Sequence, residues 1–203
     1  MRAALSIQDE QELWRKINQQ DRQALTSLYL AYHDTLLDYA RKLAHDEALA
    51  LNCLQELFVQ LWHQRGRLSD VKSVKIYLIV ALRRRVVRQL KQEQARSRRQ
   101  FSFQEVQPAL EFSAEELVML HETEAEVREQ MADSLNRLPE RQREIIYLRY
   151  YENLSIQEIA DLLHMQYQSV SNNLQRAYKT LRTNPLLRKL AQTFLLLMLG
   201  FLK

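Results

Sequence analysis

The chain has 203 residues, with 29 Lys and Arg against 25 Asp and Glu, a formal net charge of +4. Two Gly and three Pro leave little turn chemistry for sheets, and Leu, Gln, Glu and Arg are abundant, so the expected fold class is all-α. The single cysteine, Cys53, excludes an internal disulfide and fits a reducing compartment, while five histidines without partners at ligand spacing leave no expected metal site or cofactor.

The N-terminal stretch carries Arg2 but no apolar signal-peptide core, so the chain is expected to be cytoplasmic. Residues 8–18 predict a short amphipathic helix with Leu13, Trp14 and Ile17 on one side. Asp21 is the expected cap of a second helix, in which Ala24, Leu25, Leu28, Tyr29 and Tyr32 recur at helical spacing. Leu36, Leu37, Tyr39, Ala40 and Leu43 continue that side as far as a break at His45 and Asp46. Residues 48–63 predict a third helix, whose Leu51, Leu54, Leu57, Phe58, Leu61 and Trp62 are assigned to the core. Its other face lines up Asn52, Gln55, Glu56 and Gln60, and an amide-rich face on a charged protein points to a protein partner.

Residues 65–69 hold a glycine and form the expected turn into a long helix over 74–98. Ile76, Leu78, Ile79, Ala81, Leu82, Val86, Val87 and Leu90 make its apolar side, and Lys75, Arg83, Arg84, Arg85, Arg88 and Lys91 its cationic side. A polyanion is the partner that such clustering fits; a solvated basic face is the plain alternative. Membrane-surface binding fits less well, because Arg83, Arg84 and Arg85 interrupt the apolar side rather than flank it. Charge is laid out in blocks: twelve Lys and Arg against two acids over 65–99, then nine acids against Arg128 over 100–133. Such blocks seek an opposite partner, either each other or a third molecule.

Residues 101–112, with Pro108 and no clean period, predict a linker. Ser113 with Glu116 matches a capping box and opens an acidic helix through about Asn136. Pro139 starts the next helix, 140–151, where Ile145, Ile146 and Leu148 would pack beneath a helix-turn-helix.

That helix-turn-helix is expected over residues 154–182, the stretch the chain is organised around. Ser155 and Glu158 form a capping box, and Ile159, Leu162 and Leu163 give a short first helix an apolar stripe. Ala160 is small enough for a second helix to cross closely, and His164 and Met165 make the turn. The second helix buries Val170, Leu174, Ala177, Tyr178 and Leu181. Outward stand Gln168, Ser169, Ser171, Asn172, Gln175, Arg176 and Lys179, amides and hydroxyls followed by cations, which suits base edges and then phosphate. The plain alternative is a helical hairpin with a solvated polar face. The tail 186–203 ends apolar on all sides but is too short for a bilayer, which needs about 20 such residues.

Taken in order, these residues resemble RNA polymerase sigma factors of the sigma-70 family, in the short extracytoplasmic-function (ECF) group that keeps only the second and fourth conserved regions. Asp21, Ala24, Leu28, Tyr29 and Tyr32, then Gln55 to Phe58 with Leu61 and Trp62, then Tyr77 and Leu78 match the first pattern. Leu138 to Arg143, Leu154, Ser155, Glu158 to Ala160, Val170, Arg176 and Ala177 match the second. The resemblance implies a region 2-like domain over 8–99, an acidic linker over 100–130, a region 4-like domain over 131–184 and an apolar tail over 185–203.

It also implies roles. Asn52, Gln55 and Glu56, with Leu61 and Trp62 behind them, would bind core RNA polymerase. Lys75, Tyr77, Arg83, Arg84, Arg88 and Lys91 would engage the minus-ten element of promoter DNA and its displaced strand. Residues Gln168 through Lys179 would read the minus-thirty-five element, and the acidic linker would thread the polymerase channel. An anti-sigma regulator is a candidate partner for the tail, alongside packing within the chain, with membrane-surface attachment a third, less favoured reading. Opening about ten base pairs at about 1.4 kcal/mol each takes on the order of 10–15 kcal/mol, more than one basic helix supplies. The protein would therefore work as a non-catalytic subunit with no small-molecule substrate. A helix-turn-helix regulator binding duplex DNA as a dimer without polymerase is the alternative. The first hundred residues show neither a parallel sheet nor an acidic pocket for the ligand or phosphorylation domain it would need. A helical adaptor for acidic proteins, the third reading, leaves the polarity of the recognition helix unexplained.

Some positions depart from the family pattern. Asn52 stands where Asp is usual, which weakens one polymerase contact, and Arg84 and Arg88 stand near usual Asn and Asp positions, which favours phosphate over base capture. His164 and Gln166 replace the usual turn glycine and capping serine, which weakens the helix-turn-helix.

Overall fold

In a computed structural model the chain is described over residues 6–97, 110–115, 117 and 125–183. It divides into two units, Met1–Pro108 and Ala109–Lys203, built from eight helices and no strand among the described residues. The apolar tail lies outside the described residues.

The first unit holds α1 (Ile7–Asn18), α2 (Arg22–Ala44), α3 (Glu47–His63) and α4 (Val74–Ser97). Helix α2 is its hub, packing on α1, α3 and α4. Leu28, Leu36, Tyr39 and Leu43 of α2 are buried with Trp14 and Ile17 of α1, Leu54 and Leu61 of α3, and Leu78, Ile79 and Leu82 of α4. Each such side chain contributes about 1.5–3 kcal/mol of burial. Helix starts are fixed locally: Ser6 and Asp9 form a reciprocal capping box, Asp21 accepts from the N–H groups of Gln23 and Ala24, and Asp46 accepts from that of Leu49. Between α2 and α3 the chain turns through His45 at φ 51°, then re-enters a helix at once. Two expectations fail on α3: Leu51 is 36% exposed and Trp62 is only half-buried, so neither joins the core. Both sit at the edge of the stripe formed by Leu54, Leu57, Phe58 and Leu61.

The second unit holds α5 (Ala125–Asn136), α6 (Glu140–Tyr150), α7 (Ile156–Leu163) and α8 (Tyr167–Leu181). Helix α6 is central, with every residue from Arg143 to Leu148 buried, and it packs on α7 and α8. Its first turn begins at Pro139, whose missing N–H costs nothing there.

The segment 100–130 is not linker throughout. Leu110, Phe112 and Leu117 are buried in the second unit. Asn136 holds Phe112 by a reciprocal pair, donating Nδ2 to the Phe112 carbonyl at 2.9 Å and accepting its N–H at 2.9 Å. The Phe112 ring lies 5.7 Å from Tyr151, which stacks on Tyr147. Acidic composition hides these three apolar residues from a charge count. The expected Ser113–Glu116 box involves Glu116, which lies outside the described residues.

Candidate functional site

The second unit supplies one surface. Ser155 and Glu158 cap α7 reciprocally: the Glu158 N–H donates to Ser155 Oγ at 3.2 Å and the Ser155 N–H to Glu158 Oε2 at 2.7 Å. Ile159, Ala160, Leu162 and Leu163 are buried, and α7 packs on α8. The chain leaves α7 through His164 at φ 54°, the left-handed conformation that glycine adopts without strain. Gln166 begins α8 with no side-chain hydrogen bond to the helix start.

On α8, Val170, Leu174 and Ala177 are buried, which turns the opposite side to solvent. Gln168, Gln175, Arg176 and Lys179 are exposed or half-exposed, as are Ser169, Ser171 and Asn172. Gln168 donates to Asn172 Oδ1 at 3.0 Å, so two candidate base-reading amides hold one another one turn apart. Asn173 is spent on the backbone, donating to the Ser169 carbonyl at 2.8 Å. Sequence periodicity assigns Tyr167 no role, yet it is 52% exposed at the first position of α8, beside the amides. At the other end Tyr178 meets Tyr150 of α6 through their hydroxyls, and burial pushes the Tyr150 phenol up to about 12.

The first unit supplies two more surfaces and a groove between them. On α3, Asn52, Gln55 and Glu56 are exposed, with Asn52 Nδ2 3.4 Å from Glu56 Oε1. Leu51 and Val59 are exposed on the same helix, Val59 at 56%, and mix apolar area into the amide face. Leu61 is buried and can touch no partner; it holds the helix on the core. Trp62 is half-buried beneath the Arg65 guanidinium, 4.3 Å above its ring, and Arg65 also donates to the Trp62 carbonyl at 2.8 Å.

On α4 the cations separate by environment. Arg84, Arg88 and Lys91 are exposed, while Lys75, Arg83 and Arg85 are half-buried. Arg85 is turned inward, donating to the Ala81 carbonyl at 3.2 Å; burial lowers its pKa, with Glu56 opposing. A groove of about 660 Å³ runs between α3 and α4, lined by Glu56, Gln60, Tyr77, Arg84, Arg85 and Arg88 among others. The fold thus brings candidates of both classes, Glu56 with Tyr77, Arg84 and Arg88, around one groove. Lys75, Arg83 and Lys91 lie outside it.

Among the described residues no group of His, Cys, Asp and Glu could hold a metal ion, and no helix is long and apolar enough to cross a membrane. Burial pushes the Cys53 thiol up to about 11, so it is held as a neutral core group.

Comparison with known proteins gives these surfaces a context. Residues 28–96 match the family described as Sigma-70 region 2, and residues 128–181 match Sigma-70, region 4. The chain is 23% identical over 173 residues to the ECF RNA polymerase sigma factor SigK of Mycobacterium sp. (strain KMS), covering 84% of this chain and 87% of that protein. It is 23% identical over 177 residues to SigK of Mycobacterium tuberculosis (strain ATCC 25177 / H37Ra), covering 86% and 92%. Among solved structures it is similar to CnrH in complex with the cytosolic domain of CnrY, with a TM-score of 0.56, 18% identity, and coverage of 85% and 94%. It is similar also to the sigma factor RpoE in complex with the anti-sigma factor NepR from Bartonella quintana, with a TM-score of 0.57, 18% identity, and coverage of 80% and 96%. At that identity the two structures speak for the fold. Two family regions in the expected order, each on its own helical unit and each with a cationic helix at its surface, leave one conclusion: the chain belongs to the sigma-70 family, as an ECF sigma factor that directs RNA polymerase to promoters.

Proposed function

We propose a division of labour among the three surfaces. The α8 face reads the minus-thirty-five element: Gln168, Ser169, Ser171 and Asn172 meet base edges, and Gln175, Arg176 and Lys179 secure the backbone. The observation that carries this is the arrangement of α8, a helix anchored by Val170, Leu174 and Ala177 that turns its amides and cations to solvent. In helix-turn-helix proteins the N-terminal residues of the second helix contact base edges. Tyr167 joins them as an apolar contact for a thymine methyl.

The α4 face engages the minus-ten element. Arg84, Arg88 and Lys91 meet phosphates of the displaced strand, and Tyr77 offers a ring at the groove on which an unstacked base can rest. Lys75 and Arg83, half-buried, contribute field more than contact. The α3 face docks on core polymerase through Asn52, Gln55 and Glu56, with Leu51 and Val59 as its apolar anchors and Trp62 at its edge. A polar rim around a small apolar centre is the usual anatomy of such a docking surface. An anti-sigma partner that covered this face would compete with polymerase, and the cytoplasm, where both partners reside, is the working location.

Co-elution and band-shift measurements test the division. Asn172→Ala with Arg176→Ala should abolish binding to minus-thirty-five duplex and leave co-elution with core polymerase intact. Val59→Asp should do the reverse. Loss of both activities in both folded variants would overturn it.

A further inference from the structure

The loop between α3 and α4, residues 64–73, has little of its own to hold it. Of its residues only Leu68 is buried. Its backbone is instead held by side chains of α1, across 50 to 65 residues of sequence. Asn18 makes a reciprocal pair with Leu68, donating Nδ2 to its carbonyl at 3.1 Å and accepting its N–H at 3.0 Å. The Trp14 indole N–H donates to the Ser69 carbonyl at 3.1 Å. Gln11 Nε2 donates to the Val71 carbonyl at 2.6 Å and lies 3.3 Å from that of Lys72. Buried Glu10 accepts the Lys75 N–H at 3.4 Å at the start of α4, and its other oxygen accepts the Tyr32 hydroxyl.

Gln11, Trp14 and Asn18 are three and four apart, so they form one stripe of α1. Descending that stripe from Asn18 to Glu10 matches ascending the loop from Leu68 to Lys75. The Trp14 ring also meets the Tyr77 ring edge-on, with centroids 4.9 Å apart. From α1, closing the hydrophobic core requires only the Trp14 ring and Ile17. The polar stripe does something else: it fixes the conformation of a backbone that would otherwise be solvated and variable.

We propose that α1 is a positioning element for the minus-ten face. Gln11, Trp14 and Asn18 hold loop 67–73 and Tyr77 in the one arrangement that presents Arg67, Ser69, Lys72 and the start of α4 to the displaced strand. The proposal rests on the assignment of α4 to the minus-ten element, and extends it to residues that never touch DNA. Preorganisation of this kind spares the ordering cost at the moment of capture, so its loss weakens strand capture selectively.

The test uses the full chain with core polymerase and three variants: Gln11→Met with Asn18→Leu, Trp14→Phe, and Arg88→Ala. The first removes the amides at near-constant volume; Trp14→Phe keeps a ring and loses the donor. Five quantities are read: melting temperature, affinity for core, binding to minus-thirty-five duplex, discrimination between a matched and a base-substituted minus-ten single strand, and hydrogen exchange of the amides over 68–72. The expected result for Gln11→Met with Asn18→Leu is about a tenfold loss of discrimination, equivalent to one or two hydrogen bonds, with core and duplex binding unchanged. Hydrogen exchange of the amides over 68–72 should accelerate in parallel, and Trp14→Phe should show a smaller loss of the same kind. Faster exchange with discrimination intact would overturn the proposal, as would a loss of all activities in proportion to melting temperature in both α1 variants. If Arg88→Ala leaves strand binding and its salt dependence untouched, the assignment of α4 itself fails; if only the α1 variants are silent, the positioning role alone fails.

Discussion

Val59 and Leu61 stand two residues apart on α3 in opposite environments: Val59 is 56% exposed and Leu61 is buried. If α3 docks on polymerase through its outer face, Val59→Ala removes two methyl-sized groups that become buried only in the complex. At about 0.8 kcal/mol per buried CH₂ and roughly half the side chain already covered, the loss is about 1 kcal/mol, roughly a fivefold weaker affinity. Stability should move the other way or not at all, because Ala is a better helix former than Val by about 0.5 kcal/mol. Leu61→Met keeps volume in the core, costs less than about 1.5 kcal/mol, and should leave affinity alone. Leu61→Ala opens a cavity and should cost about 3–5 kcal/mol, visible as a fall of well over about 10 °C in the melting temperature of the first unit. The assay pairs thermal melts with titration of labelled protein against core polymerase. Val59→Ala binding as tightly as wild type, while folded Leu61→Met binds about tenfold weaker, would refute the docking role of this face.

Other consequences arise from local structure. Gln166→Ser gives α8 the side-chain cap it lacks and should stabilise the second unit by about 1 kcal/mol, raising its melting temperature by several degrees. In single-strand binding, Arg88→Ala should reduce the slope of log affinity against log salt by about 0.7, one phosphate contact, whereas Arg85→Ala should leave the slope unchanged, since Arg85 faces the Ala81 carbonyl. Cys53 makes a pH prediction. Its thiol is pushed up to about 11 from an ordinary value near 9.0, so the fold favours the protonated form. Below about pH 9 both folded and unfolded chains hold the proton and the contribution is fully present. It drains away as pH rises from about 9 to 11, where the unfolded chain ionises first. The melting-temperature difference between wild type and Cys53→Ala should therefore be flat up to about pH 9 and shrink above it.

Much of the fold was legible because its signals are local. Ser155 with Glu158, Asp21, and Pro139 mark helix starts by chemistry acting within one turn, and each stands at a helix start in the structure. Period alone separated Val170, Leu174 and Ala177 from the outward face of α8, but it also assigned Tyr178 and Leu181 to the buried side, and both are only half-buried. Leu51 misled because an apolar residue beside a core stripe carries no mark of which side it takes. Phe112 was lost within an acidic stretch, since net charge averages over the few residues that pack. The α1 stripe was invisible for a deeper reason. Hydrogen bonds from Gln11, Trp14 and Asn18 to a loop 50 or more residues away end on backbone groups, which have no residue identity to recognise. Family resemblance gave the candidate interfaces their names; only the fold separates the exposed Arg84 from the inward-turned Arg85 beside it.

Run-off transcription tests most directly whether this chain directs polymerase to promoters. Core RNA polymerase would be supplied with promoter fragments carrying both elements, with and without the protein, and with Asn172→Ala plus Arg176→Ala or Arg88→Ala variants alongside. Transcripts of defined start should appear only with the protein. The α8 variant should weaken them on templates carrying the minus-thirty-five element, and Arg88→Ala should weaken them at the melting step, with partial recovery on templates already opened at minus-ten. No promoter-specific transcript and no association with core, despite tight binding to duplex DNA, would contradict that role.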